Sequence, residues 1–244
     1  MIRQIEEFSL NAWPALQTVL VDGWVVRFAN GYTRRANSVN PLYAGQGDAE
    51  QCIATCEGLY RSRGLPVVFK MTAAACPAGL DERLAACGYA SEAHTSVQVL
   101  ELDQSAAADD GAIALYAAPE PAWQEASARM HALSESARQT HAHMLSLIAP
   151  QTCYATLTLD GQPAACGLAV LQDGWAGFYD IITEPSLRRQ GCGERLMRAL
   201  LAWGVRQGAH SAYLQVMLNN PAALALYAKL GFREAYRYWY RVKP

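Results

Sequence analysis

Apolar positions recur along this chain in two rhythms, and the switches between them mark its elements. Residues 9–21 carry apolar positions at helical spacing and predict a first helix. Residues 24–29 and 32–39 read as strands. Asn30-Gly31 between them predicts a hairpin, because both central positions of the favoured two-residue turn need φ > 0. A helix is expected over 48–61, a buried strand over 66–71, a helix over 80–87 and a strand over 96–102. A longer run then repeats that grammar, with strand 112–116 and two helices within 120–148. Strands 152–159, 163–171 and 175–183 follow, separated by Asp160-Gly161 and Asp173-Gly174. Turns that short join antiparallel neighbours, so these three strands form a meander. Helix 191–207, strand 212–216, helix 221–230 and strand 236–242 complete the pattern.

Residues 103–111 are small, polar and acidic and read as a linker. Cutting there gives halves of residues 1–104 and 111–244, each at the low end of domain size. The halves share a repeat. Leu84-Ala85-Ala86-Cys87-Gly88-Tyr89 lies over Tyr227-Ala228-Lys229-Leu230-Gly231-Phe232, each a helix, a glycine-aromatic stop and a strand.

Composition narrows the function classes. The 244 residues are 52% hydrophobic and 17% charged, with 20 Lys+Arg against 22 Asp+Glu. A packed core is easily supplied, and there is no basic field to hold nucleic acid or an anionic membrane. No apolar stretch reaches the length of a membrane span, and the acidic start Met1-Ile2-Arg3-Gln4-Ile5-Glu6-Glu7 does not resemble a signal peptide, so a cytoplasmic location is expected. The excess of Arg over Lys, with abundant Ala, suggests a bacterial source. Seven cysteines in no Cys-x-x-Cys pattern read as reduced, mostly buried thiols, and no metal site is expected.

The chemistry concentrates at Arg188-Arg189-Gln190-Gly191-Cys192-Gly193, which follows a strand and opens an amphipathic helix. The first N–H groups of a helix lack intrahelical partners, and the helix dipole favours an anion there. Glycines let the backbone approach that anion, and Arg188 and Arg189 add charge. A P-loop requires Gly-Lys-Ser/Thr where Glu194 stands, and a dinucleotide fingerprint requires glycine where Leu196 stands.

The string resembles the Arg/Gln-x-x-Gly-x-Gly/Ala motif of the GNAT acetyltransferase superfamily. Asn219-Asn220-Pro221 through Tyr227 to Gly231-Phe232 resembles that family's second signature, an Asn seven residues before a Tyr, then Gly-Phe. The resemblance implies an α+β fold of three layers: a mixed, mostly antiparallel sheet flanked by helices, here in two GNAT-like halves. It also implies acetyl-CoA as co-substrate, entering where two adjacent strands splay apart. Carried over by position, the amides of Arg188, Arg189, Gln190, Gly191, Cys192, Gly193 and Glu194 bind the pyrophosphate. The backbone of Ile181, Ile182 and Thr183 pairs with the pantetheine. Tyr227 is the general acid that protonates the departing thiolate. Asn220 is either a cofactor contact or the N-cap of its helix. The general base stays open among Asp180, Glu184, His131, His141 and His143. His141 and His143 point to different faces of one helix and form no metal pair.

The first half reads as a degenerate copy. Its glycine turn is Gly45-Gln46-Gly47-Asp48-Ala49-Glu50, where Leu42 replaces the first Arg and Asp48 and Glu50 repel a pyrophosphate. Leu84 stands in the place of Tyr227. Arg27, Arg34, Arg35 and Asn37 either lie on a solvated strand or reach an acceptor carboxylate. The sequence therefore predicts an N-acetyltransferase acting on the primary amine of a small metabolite or amino acid. Acetylation of a protein N-terminus is disfavoured because the extra half crowds a peptide groove. A CoA or acyl-CoA sensor without turnover is the alternative from another class. Oligomeric state is not readable from this sequence.

Overall fold

A computed structural model describes residues 1–103 and 111–244. In chain order its elements are α1 (Ile2–Ala12), β1 (Gln17–Val21), β2 (Trp24–Phe28), β3 (Val39–Asn40), α2 (Ala49–Arg61), β4 (Val67–Thr72), α3 (Leu80–Ala86), β5 (Ala90–Glu101) and β6 (Ile113–Tyr116). Then come α4 (Pro121–Met130), α5 (Glu135–Ser146), β7 (Gln151–Leu159), β8 (Gln162–Gln172), β9 (Trp175–Thr183), α6 (Cys192–Arg206), β10 (Ser211–Met217), α7 (Pro221–Lys229) and β11 (Arg233–Lys243). Two compact units emerge: Met1–Ser96 with Tyr236–Pro244, and Val97–Ala235. The expected linker at 103–111 falls mostly on 104–110, outside the described residues. Among the described residues no helix is long and apolar enough to cross a membrane.

In the first unit β1 and β2 form an antiparallel hairpin, β2 pairs antiparallel with β3, β3 runs parallel to β4, and β4 pairs antiparallel with β11. One face of this sheet carries Trp24, Val26, Phe28, Phe69 and Met71, packed against Ile53, Cys56 and Tyr60 of α2 and Leu80 and Leu84 of α3. The opposite face mixes apolar residues such as Val68 with the buried polar Arg27, Lys70 and Thr72 and is covered by α1. There Lys70 Nζ meets Glu6 Oε2 at 2.5 Å, and Tyr236 donates to Glu6 Oε1 at 2.7 Å. A buried ion pair is tolerable only with such extra hydrogen bonds.

Three local expectations are corrected here. The first helix is Ile2–Ala12, not 9–21, and residues 17–21 form β1. Ile5, Phe8 and Ala12 form the buried stripe, Pro14 stops the helix, and the β-branched Thr18, Val19 and Val21 suit a strand. Asn30-Gly31 does turn with φ of 52° and 72°, but its second arm is a 3-10 turn, Arg34–Ala36, and only Val39–Asn40 pair back. Asn37 takes the partner's place. Its Oδ1 accepts from Ala29 N (2.7 Å) and Gly31 N (3.0 Å), and its amide donates to Thr33 O (2.8 Å). The hairpin turn of this unit is Asp22-Gly23 instead, with φ of 44° and 85°. Arg27 is 3% exposed, neither solvated nor reaching outward. It donates to Leu10 O and Trp13 O at the end of α1 and to Arg35 O, neutralising the carbonyl end of that helix. Arg34 pairs with Glu92, and Arg35 lies over the Trp13 ring.

The second unit has the expected meander. Strands β6, β7, β8 and β9 pair antiparallel in sequence, with Asp160-Gly161 and Asp173-Gly174 at positive φ in the turns. β10 joins β9 in parallel. Leu196, Met197, Leu200 and Trp203 of α6 pack on Ala155, Leu157, Ala165, Ala169 and Phe178 of one sheet face. On the other face Trp123 of α4 meets Tyr154 edge to face and donates to Ala155 O. Sheet and two helical layers thus give the mixed, mostly antiparallel three-layer arrangement.

The repeat is visible in the backbone. Gly88 N bonds Ala85 O and Tyr89 N bonds Leu84 O, each at 3.0 Å; Gly231 N bonds Ala228 O and Phe232 N bonds Tyr227 O, also at 3.0 Å. Gly88 and Gly231 have φ of 84° and 93°, the left-handed stop that glycine adopts without strain.

Candidate active site

The β9–β10 ladder runs from Ser211↔Trp175 to Leu214↔Phe178 and ends there, although β9 continues to Thr183 and β10 to Met217. The cause on the β9 side is a bulge. β8 pairs Leu168 with Tyr179 and Cys166 with Ile182, so Gly167 faces both Asp180 and Ile181. Asp180 takes φ of 48°, a conformation that costs a non-glycine residue roughly 1–2 kcal/mol. The bulge turns Ile181 onto the α6 face, where a Cβ on Gly167 would lie 2.6 Å from Ile181 Cδ1. A side chain at 167 would push Ile181 from its place against α6. Ile181, Ile182 and Thr183 lie half-buried beyond the end of the ladder.

Beyond β9 the chain makes a 3-10 turn, Pro185–Leu187, and enters α6. Arg189 and Gly191 have φ of 62° and 82°, and no side chain caps α6. Its first internal bond is Arg195 N to Gly191 O at 3.0 Å, so the amides of 191–194 have no acceptor within the helix. Nothing lies within 4 Å of the place a Gly191 Cβ would take. At Gly193 a Cβ would make ordinary contacts, with Leu226 Cδ2 and Thr183 Oγ1 each 3.4 Å away. Arg188, Arg189 and Gln190 are exposed, whereas Cys192 is buried and offers only its backbone. Glu194 Oε2 accepts from Lys229 at 2.6 Å and Oε1 from Arg198 at 2.9 Å, and these cations hold its carboxyl below the usual range. The carboxylate is thereby turned to tying α6 to α7, and the amide end keeps its positive field. A turn with no Cβ obstruction at Gly191, an uncapped helix and an open strand edge fits a pyrophosphate with a pantetheine arm.

Asn220 is the N-cap of α7, its Oδ1 accepting from Ala223 N at 3.1 Å. Tyr227 is 8% exposed, with its ring edge against Phe232. Burial pushes its hydroxyl up to about 12, so it stays protonated at neutral pH.

The open set of bases resolves into two groups. Asp180 Oδ2 meets His141 Nε2 at 2.7 Å, and Asp180 Oδ1 lies 3.8 Å from His131 Nε2. Glu184 is paired with Arg129 of α4, and His143 lies exposed on the other side of α5. Sequence reasoning did not find Arg129, which carries no signal of its own. It named Asp180 without its bulge; an acid inside an apolar strand was the available sign.

A family profile described as "Probable histone acetyltransferase Rv0428c C-terminal" matches residues 1–241. The chain is 29% identical over 247 residues to the uncharacterized N-acetyltransferase YobR of Bacillus subtilis, covering 99% of this chain and 98% of that protein. A GCN5-related N-acetyltransferase structure from Kribbella flavida superposes with a TM-score of 0.71 at 17% identity, over 99% of this chain and 95% of that one. A tandem GNAT protein from the clavulanic acid biosynthesis pathway superposes with a TM-score of 0.63 at 14% identity, over 98% and 87%.

Proposed function

This chain belongs to the family described as probable histone acetyltransferase Rv0428c C-terminal and is a GNAT N-acetyltransferase; from that premise we propose that it transfers acetyl from acetyl-CoA to the primary amine of a small metabolite or amino acid, with Tyr227 as general acid. The observation that carries the reading is the end of the β9–β10 ladder at Phe178 beside the uncapped N-terminus of α6. The amides of 188–194 hold the pyrophosphate, with Arg188 and Arg189 adding charge at the rim. The backbone of Ile181, Ile182 and Thr183 pairs with the pantetheine amides along the open edge and so aligns the thioester with β9. Asn220 acts there by capping α7 and fixing the position of Tyr227.

Tyr227 donates its proton to the sulfur as the C–S bond breaks. A thiol with a pKa near 8.5 is a fair leaving group, and a positioned acid contributes roughly 10²–10⁴ in rate. The presence of Tyr227 together with the glycine turn favours an enzyme over a sensor, which needs the cradle but no acid.

A protein acceptor is the second reading, favoured by the description of the family. Thiol release, followed with acetyl-CoA and a panel of small amines, amino acids and peptides bearing free N-termini or lysines, separates the readings. Turnover on the small amines supports the proposal. Turnover confined to peptides replaces it with the second reading, and tight acetyl-CoA binding without thiol release on any amine points to a sensor.

A further inference from the structure

Ile181, Ile182 and Thr183 lie beyond the last β9–β10 pair, and something must keep that edge from zipping shut. Neighbouring strands tend to pair along their whole length, because an unpaired backbone N–H or C=O away from water is costly. β10 itself continues to Met217, past its last paired residue, Leu214.

The side chain at the break is Asp180. On a regular strand it would follow Phe178 to the α6 face, among Leu196, Met197 and Leu200, an apolar layer in which burying a carboxylate is costly. The bulge sends it to the opposite face, where α5 supplies His141. Asp180 Oδ2 lies 2.7 Å from His141 Nε2, and the two side chains are 7% and 4% exposed. A carboxylate only accepts, so the ring nitrogen carries the proton of this bond. The Trp123 ring packs beside the imidazole at 6.4 Å and is itself fixed to the sheet through Ala155 O. The positive φ at Asp180 is thus selected from two sides: the apolar layer rejects the extended form, and the histidine favours the bulged one. A second tie follows the free edge. Glu184 N returns to Ala164 O at 2.9 Å, and the Glu184 carboxylate pairs with Arg129 of α4. Residues 181–183 are therefore anchored at both ends on the side away from β10.

We propose that Asp180 and His141 are a positioning pair whose buried bond locks the β9 bulge and so keeps the edge of 181–183 open for the pantetheine arm of acetyl-CoA. The inference rests on the acetyl-transfer reading, which lays that arm on this edge. In this role neither residue touches the thioester. The pair acts through the backbone: the edge is already open in the free protein, so cofactor binding does not have to separate two paired strands.

Calorimetric titration with acetyl-CoA, melting temperature and amide hydrogen exchange, all on the full chain, test the lock. In Asp180→Val combined with His141→Leu, apolar side chains replace the buried pair, and a β-branched residue favours the extended strand. The melting temperature is expected to hold or rise, and the amides of 181–183 to exchange more slowly as the ladder extends. Acetyl-CoA affinity is expected to fall roughly ten- to a hundredfold, the worth of one or two backbone hydrogen bonds at up to about tenfold each. A pair with a merely structural role would move the melting temperature and leave affinity alone. Asp180→Gly removes the carboxylate but keeps the freedom for positive φ, so it separates the bond from the backbone and serves equally if the double variant does not fold. Its affinity is expected to fall as well. Asp180→Asn retains an acceptor oxygen and tolerates positive φ, and is expected to recover most of what Asp180→Gly loses. Wild-type affinity in the folded double variant or in Asp180→Gly overturns the lock while leaving acetyl transfer standing. A wild-type protein that does not bind acetyl-CoA overturns the transfer reading, and this proposal with it.

Discussion

Residues 45–47 and 191–193 are glycine turns that feed helices α2 and α6, and they meet the same electrostatic demand in opposite ways. Each leaves backbone N–H groups pointing out of a helix start, where an anion is favoured. In the first turn the chain supplies that anion itself. Gln46 N donates to Asp22 Oδ1 at 2.9 Å and Gly47 N to Asp22 Oδ2 at 2.8 Å, and Asp48 caps α2. A Cβ on Gly45 would fall 1.9 Å from Asp22 Oδ2, so glycine there makes room for an internal carboxylate. In the second turn no side chain caps the helix and nothing lies within 4 Å of the Gly191 Cβ position. The same motif grammar is thus a closed structural joint in one place and, in the other, a turn that no side chain among the described residues fills. What separates them is acidic side chains at the first turn, Asp22 from a hairpin some twenty residues upstream and the capping Asp48, and the absence there of any counterpart to Arg188 and Arg189.

The repeat sharpens the contrast at its second chemical position. Leu84 and Tyr227 accept the same backbone bond from the residue after the glycine stop. Leu84 is fully buried in its core, whereas Tyr227 carries a protonated hydroxyl. Tyr227→Phe keeps the ring and its contact with Phe232, so melting temperature and acetyl-CoA affinity are expected to hold while kcat falls by roughly 10²–10⁴. Leu84→Ala is expected to do the reverse, lowering stability by about 2–5 kcal/mol with kcat per folded molecule unchanged. Full activity in Tyr227→Phe, measured where chemistry limits the rate, removes Tyr227 from the mechanism and erases the contrast.

A smaller effect is expected at the turns themselves. Gly191→Asn keeps a residue that tolerates positive φ, so most of its effect comes from a side chain placed in the cradle. Acetyl-CoA affinity is expected to fall roughly ten- to a hundredfold, equivalent to about 1.4–2.7 kcal/mol, with little change in melting temperature. Gly45→Ala should loosen the first turn and leave acetyl-CoA affinity alone. Calorimetric titration of both variants decides the matter: unchanged affinity in Gly191→Asn contradicts the cradle.

How far the sequence reveals this depends on distance along the chain. The Asp-Gly turns of the meander, the glycine stops after Leu84 and Tyr227, and the strand–turn–helix ahead of Leu196 are local, and turn chemistry makes them legible. Asn30-Gly31 shows the limit: its φ values were readable, but the Asn37 side chain that replaces the second strand was not. The first helix was displaced for a similar reason, since apolar residues on both sides of Pro14 share one periodicity although only the first group is helical. The end of the β9–β10 ladder depends on a one-residue bulge, and nothing in the alternation of 175–183 marks it except the acid at 180. Asp180 and His141 stand 39 residues apart, and only the packed α4–α5 layer selects His141 over His143. The closed turn was anticipated as a degenerate site, but for the charges of Asp48 and Glu50. The carboxylate that fills it is Asp22, brought there by the β1–β2 hairpin.

The smallest effect expected is at that carboxylate. Its two backbone donors, Gln46 N first and then Gly47 N, hold the Asp22 pKa below the ordinary value. A lowered folded pKa means that the folded state favours the ionised form. The resulting stability is fully present above the unfolded aspartate pKa of about 3.9 and is lost as pH falls through the folded value. Asp22→Asn keeps the shape and the tolerance for positive φ but removes the charge. Its melting temperature is therefore expected to lie slightly below wild type from neutral pH down to about 4, and the gap should close on further acidification. Because the side chain is exposed, salt and water screen the interaction, and a shift of at most a few degrees is anticipated. Acetyl-CoA stoichiometry should not rise, since Asp48 still caps α2 and Arg188 and Arg189 have no counterpart at the first turn. A gap that persists at low pH shows that the bond geometry, not the charge, holds the turn. A second equivalent of bound acetyl-CoA shows that Asp22 alone was keeping the first cradle closed, and the two turns would then differ by a single side chain.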